Sequence, residues 1–174
     1  MQTGDWEQRV AGAWASIGDR EEAEFRALID ELVAELPPGD PDGVFERAAA
    51  LDSTGHSDLA VPLYRQALDA GVAGERRRRA VIQMASSLRN LDRSQESVAL
   101  LTAELRNGSD HLDDAVKTVL ALALTDVGRE REAVAVAVEA LAAHLPRYQK
   151  SMANYARLLV APDPAADPET DVRT

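Results

Sequence analysis

The chain has 174 residues, 45% of them apolar and only 4% aromatic, no cysteine, and 30 acids against 19 Lys and Arg for a net charge of −11. That length suits one domain with a real core. The missing cysteine excludes disulfides, thiolate catalysis and cysteine-based metal sites, and the acidity argues against nucleic acid, whose phosphates the chain repels overall. No apolar run reaches the ~18 residues of a membrane span. The start MQTGDWEQ lacks the basic-then-apolar layout of a signal peptide, so a cytoplasmic setting is expected.

Apolar residues recur at helical spacing, and no apolar–polar alternation is long enough for a strand, so the expected fold class is all-α. Residues 4–17 read as a first helix with Asp5 as N-cap and Trp6, Val10, Ala13, Trp14 and Ile17 as its apolar stripe. Gly18-Asp19 turns the chain into a second helix, 20–36, which Pro37-Pro38-Gly39-Asp40-Pro41 stops. Residues 42–54 and 58–70 form the clearest hairpin. Pro62 falls near the first turn of its helix, where few amide bonds are lost. Residues 75–90 and 93–106 make a third hairpin, followed by the turn cluster Asn107 to Asp110. Residues 112–127 and 130–144 make a fourth, and Pro146 opens a last helix to about Val160. Proline, acids and low hydrophobicity then predict a disordered tail, 162–174.

These hairpins repeat. Gly18, Gly55, Asp92 and Gly128 occupy matching turn positions at spacings of 37, 37 and 36. Seven residues before each stand Ala11, Ala48, Ala85 and Ala121; four before stand Trp14, Leu51, Leu88 and Leu124. Five residues after stand Ala23, Ala60, Ser97 and Ala133, and nine after stand Ala27, Tyr64, Leu101 and Ala137. Small residues let two antiparallel helices approach, and large ones a turn away fill the gap.

This pattern resembles the tetratricopeptide repeat: a small and a large residue on the first helix, a turn glycine, then A-x₃-F/Y on the second. Ala60 and Tyr64 match the last element directly, and the likeness covers most of residues 5–145. Arg76 to Leu91 also resembles one bacterial subfamily of these repeats that carries no assigned reaction. The resemblance implies one domain over 1–161, a right-handed superhelical stack of hairpins at about 4–36, 42–71, 75–106 and 111–145 with a capping helix at 146–160. It implies binding of a protein or peptide in a concave groove, no catalysis and no cofactor.

The charge is uneven. Residues 1–41 carry ten acids and three arginines, whereas residues 72–106 carry seven arginines and four acids. The run Arg76 to Arg79 rings its helix, because neighbouring helical residues lie ~100° apart. It either pairs with nearby acids or binds an anion. Arg79, Gln83, Ser86 and Asn90 share one helical face, and Arg89, near Arg93 at the turn, reaches its edge. If Ala85 and Leu88 pack inward, that face lines the groove. The same face carries Phe45, Glu46 and Asp52 in the second hairpin and Thr118, Leu122, Thr125 and Asp126 in the fourth. The candidate partner-binding set is therefore Arg79, Gln83, Ser86, Arg89, Asn90, Phe45, Asp52 and Asp126. Guanidinium groups favour an acidic peptide or chain terminus, or else brace acids such as Asp52 and Asp126 of neighbouring repeats. Two other readings use the same features: a homodimer in which the acidic first hairpin meets the basic middle of another copy, and a regulatory module sensing a small peptide or anion. His56, His111 and His144 show no metal-ligand spacing, and no nucleophile or phosphate-loop motif is present.

Overall fold

A computed structural model of the chain describes residues 3–161. Among these residues every regular element is helical: α1 (Thr3–Ala15), a 3₁₀ turn (Ile17–Asp19), α2 (Glu22–Val33), α3 (Pro41–Ser53), α4 (Ser57–Asp69), α5 (Gly74–Asn90), α6 (Ser94–Glu104), α7 (Asp113–Asp126), α8 (Glu130–Ala142) and α9 (Gln149–Val160). The expected all-α class and hairpin order hold. The chain forms two compact units that divide after Gly108, the first with α1–α6 and the second with α7–α9. Among the described residues no helix is long and apolar enough to cross a membrane. The expected tail, 162–174, lies outside the described residues.

Three hairpins share one turn. The N–H groups of His56, Arg93 and Arg129 donate to the carbonyls of Leu51, Leu88 and Leu124, each at 2.9 Å. The residue before each donor is left-handed: Gly55 at φ 80°, Asp92 at 58° and Gly128 at 75°. These bonds close the helix by satisfying terminal carbonyls that lack an intrahelical partner. Glycine reaches this region freely, whereas Asp92 carries a Cβ that costs ~1–2 kcal/mol there. Asp92→Gly should therefore raise stability by about 0.5–1 kcal/mol, after glycine's larger unfolded-state entropy is deducted. Urea denaturation measures this, and a loss instead would assign the Asp92 carboxylate a structural role.

The first hairpin follows a different register. Gly18 lies inside the 3₁₀ turn and is not left-handed. Ala11, Ala23 and Ala27 are exposed, while Ala13, Phe25 and Ile29, each two residues further on, are buried. The added 3₁₀ turn delays α2, so the repeat positions here are set two residues later than Gly18 indicates. Asp5 is also not a cap: it sits within the first turn of α1 and pairs with Arg9 at 3.2 Å.

The link between the first two hairpins is built as its residues dictate. Asp40 caps α3, accepting from the N–H groups of Asp42 (3.0 Å) and Gly43 (3.2 Å), and Pro41 occupies the first turn. Gly43 touches α2: a Cβ there would lie 2.8 Å from Val33 Cγ1. Pro62 is the sixth residue of α4, just past the first turn, and is exposed, so its cost is one missing amide bond.

Two apolar clusters hold the first unit. One joins Trp6, Val10 and Ala13 to Phe25, Ile29, Leu32 and Val33, with the Trp6 indole N–H bonded to the Leu32 carbonyl at 2.9 Å. The other joins α3, α4 and α5 through Phe45, Ala49, Ala60, Tyr64, Met84 and Leu88. Ala60 is fully buried at the helix contact. Ala60→Leu should cost roughly 1–3 kcal/mol by overpacking, and an unchanged denaturation midpoint would contradict that packing. In the second unit Val116, Leu120, Ala123 and Leu124 of α7 are buried, and α9 packs along α8. α9 starts at Gln149 rather than at Pro146, after Tyr148 turns the chain at φ 69°.

Candidate peptide-binding site

The four-arginine run at the start of α5 points in four directions, as adjacent helical residues must. Arg76 donates to both carboxylate oxygens of Glu7 (2.8 and 2.6 Å) and to Glu46 (2.9 Å), and lies over the Trp6 ring at 5.4 Å. Glu46 is only 2% exposed and also accepts from the Trp14 indole N–H at 2.7 Å. One guanidinium thus ties α5 to α1 and α3. Arg77 pairs bidentately with buried Glu104 at 2.5 and 2.8 Å, and Arg78 lies 3.7 Å from the same carboxylate and donates to the Gly108 carbonyl. Arg79 alone of the four meets no carboxylate among the described residues. Its guanidinium lies over the Phe45 ring at 5.3 Å.

The bidentate bond from Arg76 holds the Glu7 carboxyl below its ordinary value of 4.5, against a smaller opposing effect of burial. The stability this pair adds is therefore complete above that value and lost as the pH falls through the lowered one. Glu7→Gln should flatten the acid limb of the stability curve, read as denaturation midpoint against pH. An unchanged acid limb would show that the pair adds no stability.

The sequence-derived set divides accordingly. Arg79, Gln83 and Ser86 lie half-buried along one face of α5. Gln83 Oε1 is buried without a hydrogen-bond partner among the described residues. Arg89 is half-buried near the end of the same helix, and Asn90 is exposed there, its amide donating to Ser57 Oγ at 3.2 Å. Phe45 is fully buried and contributes as the platform under Arg79 rather than as a ring offered to a partner. Asp52 is half-buried and held by hydroxyls, Ser87 at 2.6 Å and Tyr64 at 3.3 Å, not by an arginine. Burial pushes the Asp52 carboxyl and the Tyr64 hydroxyl above their ordinary values. Asp126 ends α7 in the second unit and is exposed.

Sequence reading does not single out the Glu7–Arg76–Glu46 link, although the acidic first hairpin and basic middle signal that such pairing exists. In the second unit it marks Thr118, Leu122 and Thr125 on one face of α7, but not the groove they form with α8. Between α7 and α8 lies an apolar groove of about 500 Å³, lined by Thr118, Leu122, Thr125, Val134, Ala137 and Leu141 among others. His144 Nε2 and Asp114 Oδ2 lie 2.7 Å apart, and both residues line it.

Antiparallel helical hairpins with a shared left-handed turn, small residues at the crossings and polar residues along one helix face define a helical-repeat protein. The chain belongs to the tetratricopeptide-repeat family: the family model described as Tetratrico peptide repeat matches residues 41–159. That match begins at α3, past the first hairpin with its shifted register. Comparison with curated proteins and with solved structures found no match. Repeats of this family generally mediate protein–protein interaction and scaffolding.

Proposed function

We propose that the chain is a non-catalytic cytoplasmic adaptor that binds an acidic peptide or chain terminus on the α5 face of its first unit. The observation that carries this reading is Arg79. Arg76 and Arg77 are bound bidentately by acids, while Arg79 is fixed on the Phe45 ring with no carboxylate among the described residues. A half-buried guanidinium is held in place before a ligand arrives, which lowers the ordering cost of binding. Gln83 Oε1, one turn on, supplies an acceptor that a peptide N–H satisfies. Ser86 and Asn90 continue the polar face, with Arg89 at its edge. The pairing of Arg76 and Arg77 within the chain removes much of the charge that the acidic first hairpin of another copy would need, so the adaptor reading is preferred to that homodimer.

The test is titration of a labelled Asp/Glu-rich peptide with a free C-terminus, followed by fluorescence anisotropy. Wild type should bind it in preference to a Lys-rich control. Arg79→Ala should weaken binding about tenfold or more, the worth of one charge-assisted pair. Its helical circular dichroism should be unchanged. Equal affinity in wild type and Arg79→Ala would overturn the proposal.

A further inference from the structure

The open face of α7–α8 has a covered counterpart in the first unit. On hairpin α3–α4 the corresponding face carries α5, whose Ala80, Met84 and Leu88 join one core with Ala49, Val61, Tyr64 and Ala67. The turn glycines Gly55 and Gly128 align the two hairpins. That alignment matches Phe45 to Thr118, Ala49 to Leu122, Val61 to Val134 and Tyr64 to Ala137. All four residues of the second unit line the groove. The groove is thus the seat of a repeat helix, enlarged because Thr118 and Ala137 stand where the other hairpin has aromatic rings. α9 does not fill it. That helix lies along α8, where Arg131 donates to the Leu159 carbonyl, and it contributes no residue to the lining. Leu122, Val134 and Leu141 are left about half exposed, at 48%, 50% and 58%.

α9 offers a second unfilled apolar surface. It buries Ala156 but leaves Tyr155 and Leu158 exposed, one turn apart on one face. Arg147, Lys150 and Arg157 lie on this helix or just before it, with no acid between Pro146 and Ala161. None of the three pairs with a carboxylate among the described residues. α7 and α8 carry the opposite balance, six acids against two bases, and Asp114 lines the groove itself.

We propose that the groove receives α9 of a second copy, and that the exchange is reciprocal in a two-fold pair. An amphipathic helix lying in an apolar groove buries both unfilled surfaces at once. The tyrosine of the incoming helix supplies the aromatic bulk that Ala137 lacks. The basic residues beside it meet the acidic hairpin, which sets orientation and favours this occupant over an acidic one. A two-fold arrangement uses both surfaces of each copy and closes without further growth. The pairing uses a different surface from the peptide site, so Arg79→Ala should leave it unaffected.

Sedimentation velocity at rising protein concentration tests the pairing. Wild type should form dimers at low salt and lose them as salt is raised. The groove variant Leu122→Glu/Val134→Glu and the stripe variant Tyr155→Glu/Leu158→Glu alter exposed positions and should stay helical. Each alone should be monomeric. Mixed together they should associate again, more weakly, because one intact groove meets one intact α9. A wild type that remains monomeric throughout, or a dimer that either variant leaves intact, would overturn the proposal.

Discussion

Arg76→Ala should destabilise the first unit by about 3 kcal/mol. The guanidinium is the main partner of Glu46, a carboxylate that is 2% exposed and, among the described residues, otherwise accepts only the Trp14 indole N–H. Removing one member of a buried pair strands the other charge in a poorly solvated place, at a typical cost of ~3–5 kcal/mol. The Arg76 side chain is 19% exposed, and solvent screening on that side places the loss at the lower end. The cation–π contact with Trp6 and the bridge to Glu7 disappear with it, which loosens α1 from α5. Glu46→Leu in the same background should restore much of the loss, since no buried charge is then left alone. Urea denaturation reads both. A loss under about 1 kcal/mol in the single variant would mean that water reaches Glu46 readily.

Tyr64→Ala should cost about 3–5 kcal/mol, the range for emptying a buried aromatic site. The ring is fully buried, 6.2 Å from the Phe45 ring, in the core that also holds Ala60, Met84 and Leu88. Its neighbours come from three helices, so collapse into the space would require hairpin α3–α4 and α5 to move together. Tyr64→Phe separates the hydroxyl from the ring. It leaves Asp52 with Ser87 alone and should cost about 1 kcal/mol. Similar small losses in both variants would show that the site closes over the missing ring.

The hairpin turns were legible because left-handed backbone leaves a mark in sequence. Gly55 and Gly128 are conformationally permitted there, and Asp92, an acid at the same spacing, takes the same φ region. The first hairpin misleads for a physical reason. Ala11, Ala23 and Ala27 sit at the expected offsets from Gly18, yet small residues at a helix contact carry little burial energy of their own. Phe25 and Ile29, two positions on, bury far more apolar area and set the register.

The candidate site was legible to the extent that helical spacing determines it. Placing Arg79, Gln83 and Ser86 on one face of α5 needs only the helical period. What each arginine meets depends on tertiary placement: Glu7 is 69 residues from Arg76 in the chain, and no local pattern joins them. Phe45 illustrates the same limit, since an aromatic on the predicted face serves equally as a contact residue or as the buried floor under a cation. The groove of the second unit was half visible, in the small Ala137 at the position of Tyr64. Its openness depends on where α9 lies, which the periodicity of α9 does not specify.

On the proposed reading, Arg79 is available to a partner while Arg76, Arg77 and Arg78 hold the fold. Thermal unfolding of the four single variants, Arg76→Ala through Arg79→Ala, tests it most directly. The largest fall in Tm should come at Arg76 and a clear fall at Arg77, whose removal takes the bidentate partner from buried Glu104 and leaves it the more distant Arg78 at 3.7 Å. Arg79→Ala should lose only the cation–π contact with Phe45, worth about 0.5–1 kcal/mol. Equal losses at all four positions, or a fall at Arg79 matching that at Arg76, would contradict the division.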